Sequence, residues 1–120
     1  MEITVTEREG YAIVRVTGRM VRENQVEVRK KLEEVITNGI KGIALDFTGV
    51  DYLDSAGLGC CASVQKLMHD KKSGILVMFG ASPNIEKMWK LIRLDLVIPL
   101  FKMEEDALAA LEKAALRAQT

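Results

Sequence analysis

Apolar and polar residues alternate along Glu2-Ile3-Thr4-Val5-Thr6-Glu7 and again along Tyr11-Ala12-Ile13-Val14-Arg15-Val16. A period of two sends successive side chains to opposite faces of a strand, so with Glu9-Gly10 as the turn these segments predict an antiparallel hairpin. Gly18 is read as the end of the second strand. The period then changes: Val28, Leu32, Val35 and Ile36 recur at i, i+4, i+7 and i+8, one stripe of a helix, with Asn24 as its cap and Asn38-Gly39 closing it.

From Gly42 onward, helices alternate with short apolar strands. Gly42-Ile43-Ala44-Leu45-Asp46-Phe47 and Gly74-Ile75-Leu76-Val77-Met78-Phe79 have the character of strands covered on both faces. Between them, Asp54-Ser55 opens a helix running to about Asp70, with Cys61, Val64 and Met68 toward the sheet and Ala56, Gly57 and Gly59 near its open end. Ser82-Pro83 begins the next helix in the favoured order of cap and first-turn proline, and Ile85, Met88, Trp89 and Ile92 form its apolar stripe. A brief strand is expected around Val97-Ile98, before Pro99, and a terminal helix from Asp106 to Arg117 with Leu108, Leu111 and Ala115 on one side. Parallel strands need covered crossovers, so the pattern predicts an α/β fold. Residues 1–120 read as one domain, with a mixed sheet of four or five strands and about four helices.

Composition narrows what such a domain does. Seventeen basic and seventeen acidic residues cancel, and no Lys/Arg block is interleaved with aromatics, so nucleic acid is not an expected partner. No apolar run approaches the roughly 20 residues that span a bilayer, and the N-terminus lacks a leader pattern, so no direct membrane insertion and a cytoplasmic location are expected. Cys60 and Cys61 are adjacent, which strains a mutual disulfide, and read as reduced core thiols.

The stretch Gly49-Val50-Asp51-Tyr52-Leu53-Asp54-Ser55-Ala56-Gly57-Leu58-Gly59 concentrates the candidate chemistry. Asp54 and Ser55 are residue types that prefer a helix N-cap. A serine there stands near solvent at the positive end of a helix dipole, a place that tolerates a phosphate. Local pattern alone favours a plainer reading, with Ser55 only a cap, Gly57 and Gly59 only close-packing residues, and Asp54 only a solvated turn.

The residues Ile43 to Leu53 followed by Asp54-Ser55-Ala56-Gly57-Leu58-Gly59 resemble the signature of STAS domains, in particular bacterial anti-sigma-factor antagonists. Val16-Thr17-Gly18-Arg19-Met20, Gly80-Ala81-Ser82-Pro83 and Leu94 through Phe101 look like further landmarks of that family, so the resemblance covers nearly the whole chain. It implies that Ser55 is the phosphoacceptor and reverses the balance against the purely structural reading. It places a partner-binding surface on Asp54, Ala56, Gly57, Leu58 and Gly59, with Gly18, Met20 and Val21 at the neighbouring strand exit and Ser82 at a later helix start. It implies a non-enzymatic protein that binds an anti-sigma factor with a serine-kinase fold when Ser55 is unmodified. That kinase would phosphorylate Ser55 with its own ATP, and a metal-dependent serine phosphatase would restore it. No cofactor and no metal site are expected on this chain. The chain departs from the family at Val21, where an acidic residue is frequent, and this leans toward an alternative: a STAS subunit docking constitutively in a transport or stress-sensing assembly.

An enzyme using Ser55 or Cys60 lacks a base. His69 is the only histidine, and fourteen residues along one helix amount to about 21 Å. Cys60, Cys61 and His69 lack metal-ligand spacing, and Gly57-x-Gly59 lacks both the third glycine of a dinucleotide fingerprint and the Gly-Lys-Ser/Thr of a P-loop. The sequence leaves the oligomeric state open.

Overall fold

The hairpin forms where the alternation predicts it: β1 (Glu2–Arg8) and β2 (Tyr11–Met20) run antiparallel, and Glu9 and Gly10 between them both take positive φ. The computed structural model describes residues 1–118. Gly18 does not end β2, as expected from its residue type. It takes φ +92° at a register shift, and the strand continues to Met20 because β3 (Gly42–Leu53) also runs on, pairing Arg19 with Tyr52 and Met20 with Leu53. Glycine supplies the left-handed backbone that such an irregularity needs.

The helix α1 (Gln25–Thr37) buries Val28, Leu32, Val35 and Ile36. Asn24 precedes it but gives no side-chain bond to its first turn. Instead, Asn24 Oδ1 accepts from the Val21 N–H at 2.8 Å and Nδ2 donates to the Arg19 carbonyl at 2.8 Å, so this side chain locks the preceding turn. The helix α2 (Ser55–Lys71) follows β3 directly, and β4 (Leu76–Phe79) is fully buried. Ser82 Oγ accepts from the Ile85 N–H and Pro83 opens α3 (Pro83–Leu91). Ile92 lies beyond the helix and is exposed, so the apolar stripe of α3 stops short of it.

The strand expected at Val97-Ile98 lies after Pro99, at β5 (Leu100–Phe101), while Leu94–Leu96 form a 3-10 turn. Side chains take the backbone groups that a strand ladder would have used: Gln65 Nε2 donates to the Val97 carbonyl at 2.7 Å and Trp89 Nε1 to the Ile98 carbonyl at 3.1 Å. The terminal helix α4 (Glu104–Ala118) starts two residues before the expected position.

The sheet order is β1-β2-β3-β4-β5, and all pairs except β1–β2 are parallel. Residues of α1, α2 and α3 pack with Val14, Leu45, Phe47 and Met78 into the main core on one face. On the other face α4 alone covers Ile13, Ala44, Val77 and Phe79 with Ala107 and Leu111. At the start of α4, that second face carries a polar network in which Arg15 of β2 pairs with Asp46 of β3 and with Glu104 of α4. The fold is thus an α/β mixed sheet with helices on both faces, as the patterning predicts.

Candidate functional site

The chain leaves β3 at buried Leu53 and turns at Asp54, whose extended backbone (φ −99°, ψ −177°) suits a helix N-cap. Asp54 Oδ1 accepts from the Gly57 N–H at 3.0 Å and Oδ2 from the Arg22 N–H at 3.0 Å. One carboxylate therefore fastens both the start of α2 and the turn that follows β2. The Asp54 N–H donates to the Met20 carbonyl at 3.3 Å, completing the join. These donors favour the ionised form, the Gly57 N–H most and the Arg22 N–H next, and hold the Asp54 carboxyl below its ordinary pKa.

Ser55 is the first residue of α2 rather than its cap, and it is exposed. Among the described residues its hydroxyl has no hydrogen-bond partner. Ala56 and Leu58 are half-buried and Gly59 is exposed, with open space where a Cβ would stand. Gly57 is different: a Cβ there would collide with Leu53 Cδ1 and lie 2.8 Å from the Met20 carbonyl oxygen. Gly57 and Met20, the latter 0% exposed, therefore shape the site from beneath and offer no surface to a partner. Gly18 and Val21 are half-buried. Ser82 belongs to another turn: Phe79, three residues before it, pairs with Asp46, seven residues before Leu53, and the Ser82 hydroxyl is occupied as a cap.

Three further residues shape the site in ways the sequence reading did not assign, Asn24 among them, which was expected only as the cap of α1. Arg22 acts through its backbone N–H, which leaves no signature in residue type. Asn24 fixes the turn, a role its spacing three residues after Val21 permits. Arg19 stacks over the Tyr52 ring at 4.7 Å, on paired positions of β2 and β3, leaving both side chains exposed at the edge of the site.

Nucleophilic chemistry has little support from this arrangement. Continuous α2 carries both Ser55 and His69, so the serine and the histidine lie about 21 Å apart along its axis. Burial pushes the Cys60 thiol up to about 11 and the Cys61 thiol higher still, which favours the neutral thiol over the nucleophilic thiolate at physiological pH. Among the described residues no cluster of His, Cys, Asp or Glu could hold a metal ion, and no helix is long and apolar enough to cross a membrane.

The sequence profile of the STAS domain family matches residues 2–107. The chain is 26% identical over 113 residues to the anti-sigma F factor antagonist of Paenibacillus polymyxa, covering 93% of this chain and 96% of that relative. Its fold is similar to that of an anti-sigma factor antagonist from Mycobacterium paratuberculosis, with a TM-score of 0.81 at 22% identity over 92% of this chain and 93% of that one. It is also similar to the Bacillus cell fate determinant SpoIIAA in its phosphorylated form, with a TM-score of 0.69 at 18% identity over 91% of this chain and 98% of that one.

Proposed function

Given that this chain belongs to the STAS domain family, we propose that it is an anti-sigma-factor antagonist whose docking to an anti-sigma factor is switched by phosphorylation of Ser55. The observation that carries this reading is the exposed Ser55 hydroxyl, without a hydrogen-bond partner among the described residues, on the first turn of α2. A phosphoryl group there adds about 1.5 to 2 negative charges and three acceptor oxygens. The helix N-terminus stabilises that charge locally, so the fold survives modification. A partner laid over Ser55, Ala56, Leu58 and Gly59 meets it beside the Asp54 carboxylate, and burying both charges without a compensating cation costs several kcal/mol. The partner in this reading is a serine-kinase-type anti-sigma factor using its own ATP, and a serine phosphatase reverses the step. The chain itself is a binding protein, acting in the cytoplasm.

A second reading, constitutive docking as a subunit of a transport or stress-sensing assembly, draws on Val21. That position holds a half-buried aliphatic side chain and no carboxylate. Intact mass separates the two. Incubation with a kinase-type anti-sigma factor and ATP should add one phosphate to the wild-type chain and none to Ser55→Ala. A mass unchanged in the wild type, with the complex still formed, selects constitutive docking. Ser55→Asp should weaken the complex at least tenfold while leaving thermal stability nearly unchanged; a large loss of stability would instead make the serine a structural element.

A further inference from the structure

The Asp54 carboxylate spans two elements. Oδ1 is held by Gly57 at the start of α2 and Oδ2 by Arg22 in the turn after β2. That turn has few other anchors: Asn24 bonds it to itself through Val21 and Arg19, and the Gln25 N–H returns to the Val21 carbonyl at 2.8 Å. Its ties to the Ser55 end of α2 are the Asp54 side chain and the Asp54 N–H to Met20 carbonyl bond, with a longer contact from Cys60 Sγ, further along α2, to the Gln25 carbonyl at 3.8 Å. Arg22 and Glu23 are exposed on this turn, next to the proposed docking surface.

We propose that Asp54 is a positioning residue that couples Ser55 to the Val21–Asn24 turn, so that negative charge placed on Ser55 releases the Arg22 N–H and loosens that turn. The inference rests on the reading of Ser55 as the modified residue and adds how modification is transmitted. The physical sequence is short. Ser55 follows Asp54 directly, so a phosphoryl group there adds like charge in the neighbourhood of the Asp54 carboxylate, and the two repel. The new oxygens also compete with Asp54 for the amides of the first turn of α2, which are the nearest donors. Of the two bonds that Asp54 accepts, the one to Gly57 lies within its own helix turn, whereas the one to Arg22 joins separate segments. The Arg22 bond yields because its donor sits on the less anchored segment. Modification then acts on docking twice: through its own charge, and by unfixing the adjoining turn that carries Val21, Arg22 and Glu23.

The coupling is measurable in the isolated full chain, without kinase or partner. Ser55→Cys places an exposed thiol where both native cysteines are buried and their thiols neutral. A methanethiosulfonate reagent carrying a sulfonate converts that thiolate to a disulfide, releasing methanesulfinate and leaving a fixed negative charge; methyl methanethiosulfonate gives the neutral counterpart. In amide exchange followed by NMR, the Arg22 N–H should exchange about fivefold faster in the anionic adduct than in the neutral one, the scale of one net hydrogen bond. The resonances of Arg22, Glu23 and Asn24 should shift together, while Leu111 in α4 stays still. With Asp54→Asn added, the difference between the two adducts at Arg22 should shrink below twofold. Equal Arg22 exchange in the two adducts overturns the coupling, as does an undiminished difference in the Asp54→Asn background. Should Asp54→Asn not fold, Asp54→Ser, which keeps a cap oxygen but no charge, takes its place with the same expected result. A kinase that adds nothing to Ser55 removes the phosphorylation reading and leaves this measurement standing, so the two failures are distinguishable.

Discussion

Gly57 and Gly59 stand two residues apart on α2 and meet opposite surroundings. A Cβ at 57 would press on Leu53 and on the Met20 backbone, which cannot move aside without shifting β2. Gly57→Ala should therefore destabilise the chain by about 1–3 kcal/mol, the range of overpacking, as read by urea unfolding. At 59 the space is open, and alanine removes only the conformational penalty of glycine within a helix, so Gly59→Ala should stabilise by about 0.5–1 kcal/mol. If both substitutions shift the midpoint the same way, the packing at 57 is misjudged. Asp54 gives a prediction with a sign. Its carboxyl ionises below its ordinary value in the folded chain, so its contribution is present above the ordinary carboxylate pKa of about 3.9 and is lost as pH falls through the lower folded value. The stability gap between wild type and Asp54→Asn should be widest near neutral pH and close progressively below about pH 4. Residue type was enough to place a cap and a serine at this turn. It could not reveal that the aspartate answers to Arg22 as well as Gly57, because that bond joins positions 32 apart in sequence.

At the scale of elements, α2 is tied to its neighbours by a polar residue that periodicity passed over. Gln65 is buried, its Oε1 accepting from the Leu76 N–H at 2.8 Å and its Nε2 donating to the carbonyls of Leu76 at 3.0 Å and Val97 at 2.7 Å. The side chain thus satisfies backbone groups at the start of β4 and on the segment leading to β5. Gln65→Leu should cost about 2–4 kcal/mol, because an apolar side chain of similar size leaves one donor and two acceptors without partners. Loss of less than about 0.5 kcal/mol would mean that water replaces the amide fully. The same residue explains why Val97-Ile98 looked like a strand. The apolar run there is genuine and Ile98 is fully buried, but the carbonyls of Val97 and Ile98 are taken by Gln65 and Trp89, and bonding to β4 begins at Pro99, whose carbonyl accepts from the Met78 N–H. Helix stripes were legible because each helix buries a single face. Which polar residue reaches under that face was not.

For the whole molecule, two cores share one sheet, and the smaller depends on α4. Leu111→Ala should cost about 2–5 kcal/mol, the usual range for emptying a buried leucine site. Fluorescence of Trp89, which sits in the other core, should report the same lowered midpoint if the sheet unfolds as a unit; an unshifted Trp89 transition would make α4 an independent appendage. The native thiols offer a second global probe. Cys60 and Cys61 are buried and held neutral, so a disulfide reagent such as Ellman's should react with neither at pH 8 until the chain unfolds, and then with both. Periodicity determined the order of strands and helices and most of each helix's core stripe, though it extended the α3 stripe to the exposed Ile92 and set the last strand before Pro99, while residue type placed a serine at the mouth of α2. Those features follow from which side chains avoid water, a property each residue carries wherever it stands. The tertiary structure decided the rest: the extra length of β2 and β3, the burial of Met20 and Gly57, and the double hold of Asp54. Each of these is set by a partner distant in sequence, and backbone groups accept such partners without regard to residue type, so no local pattern encodes them.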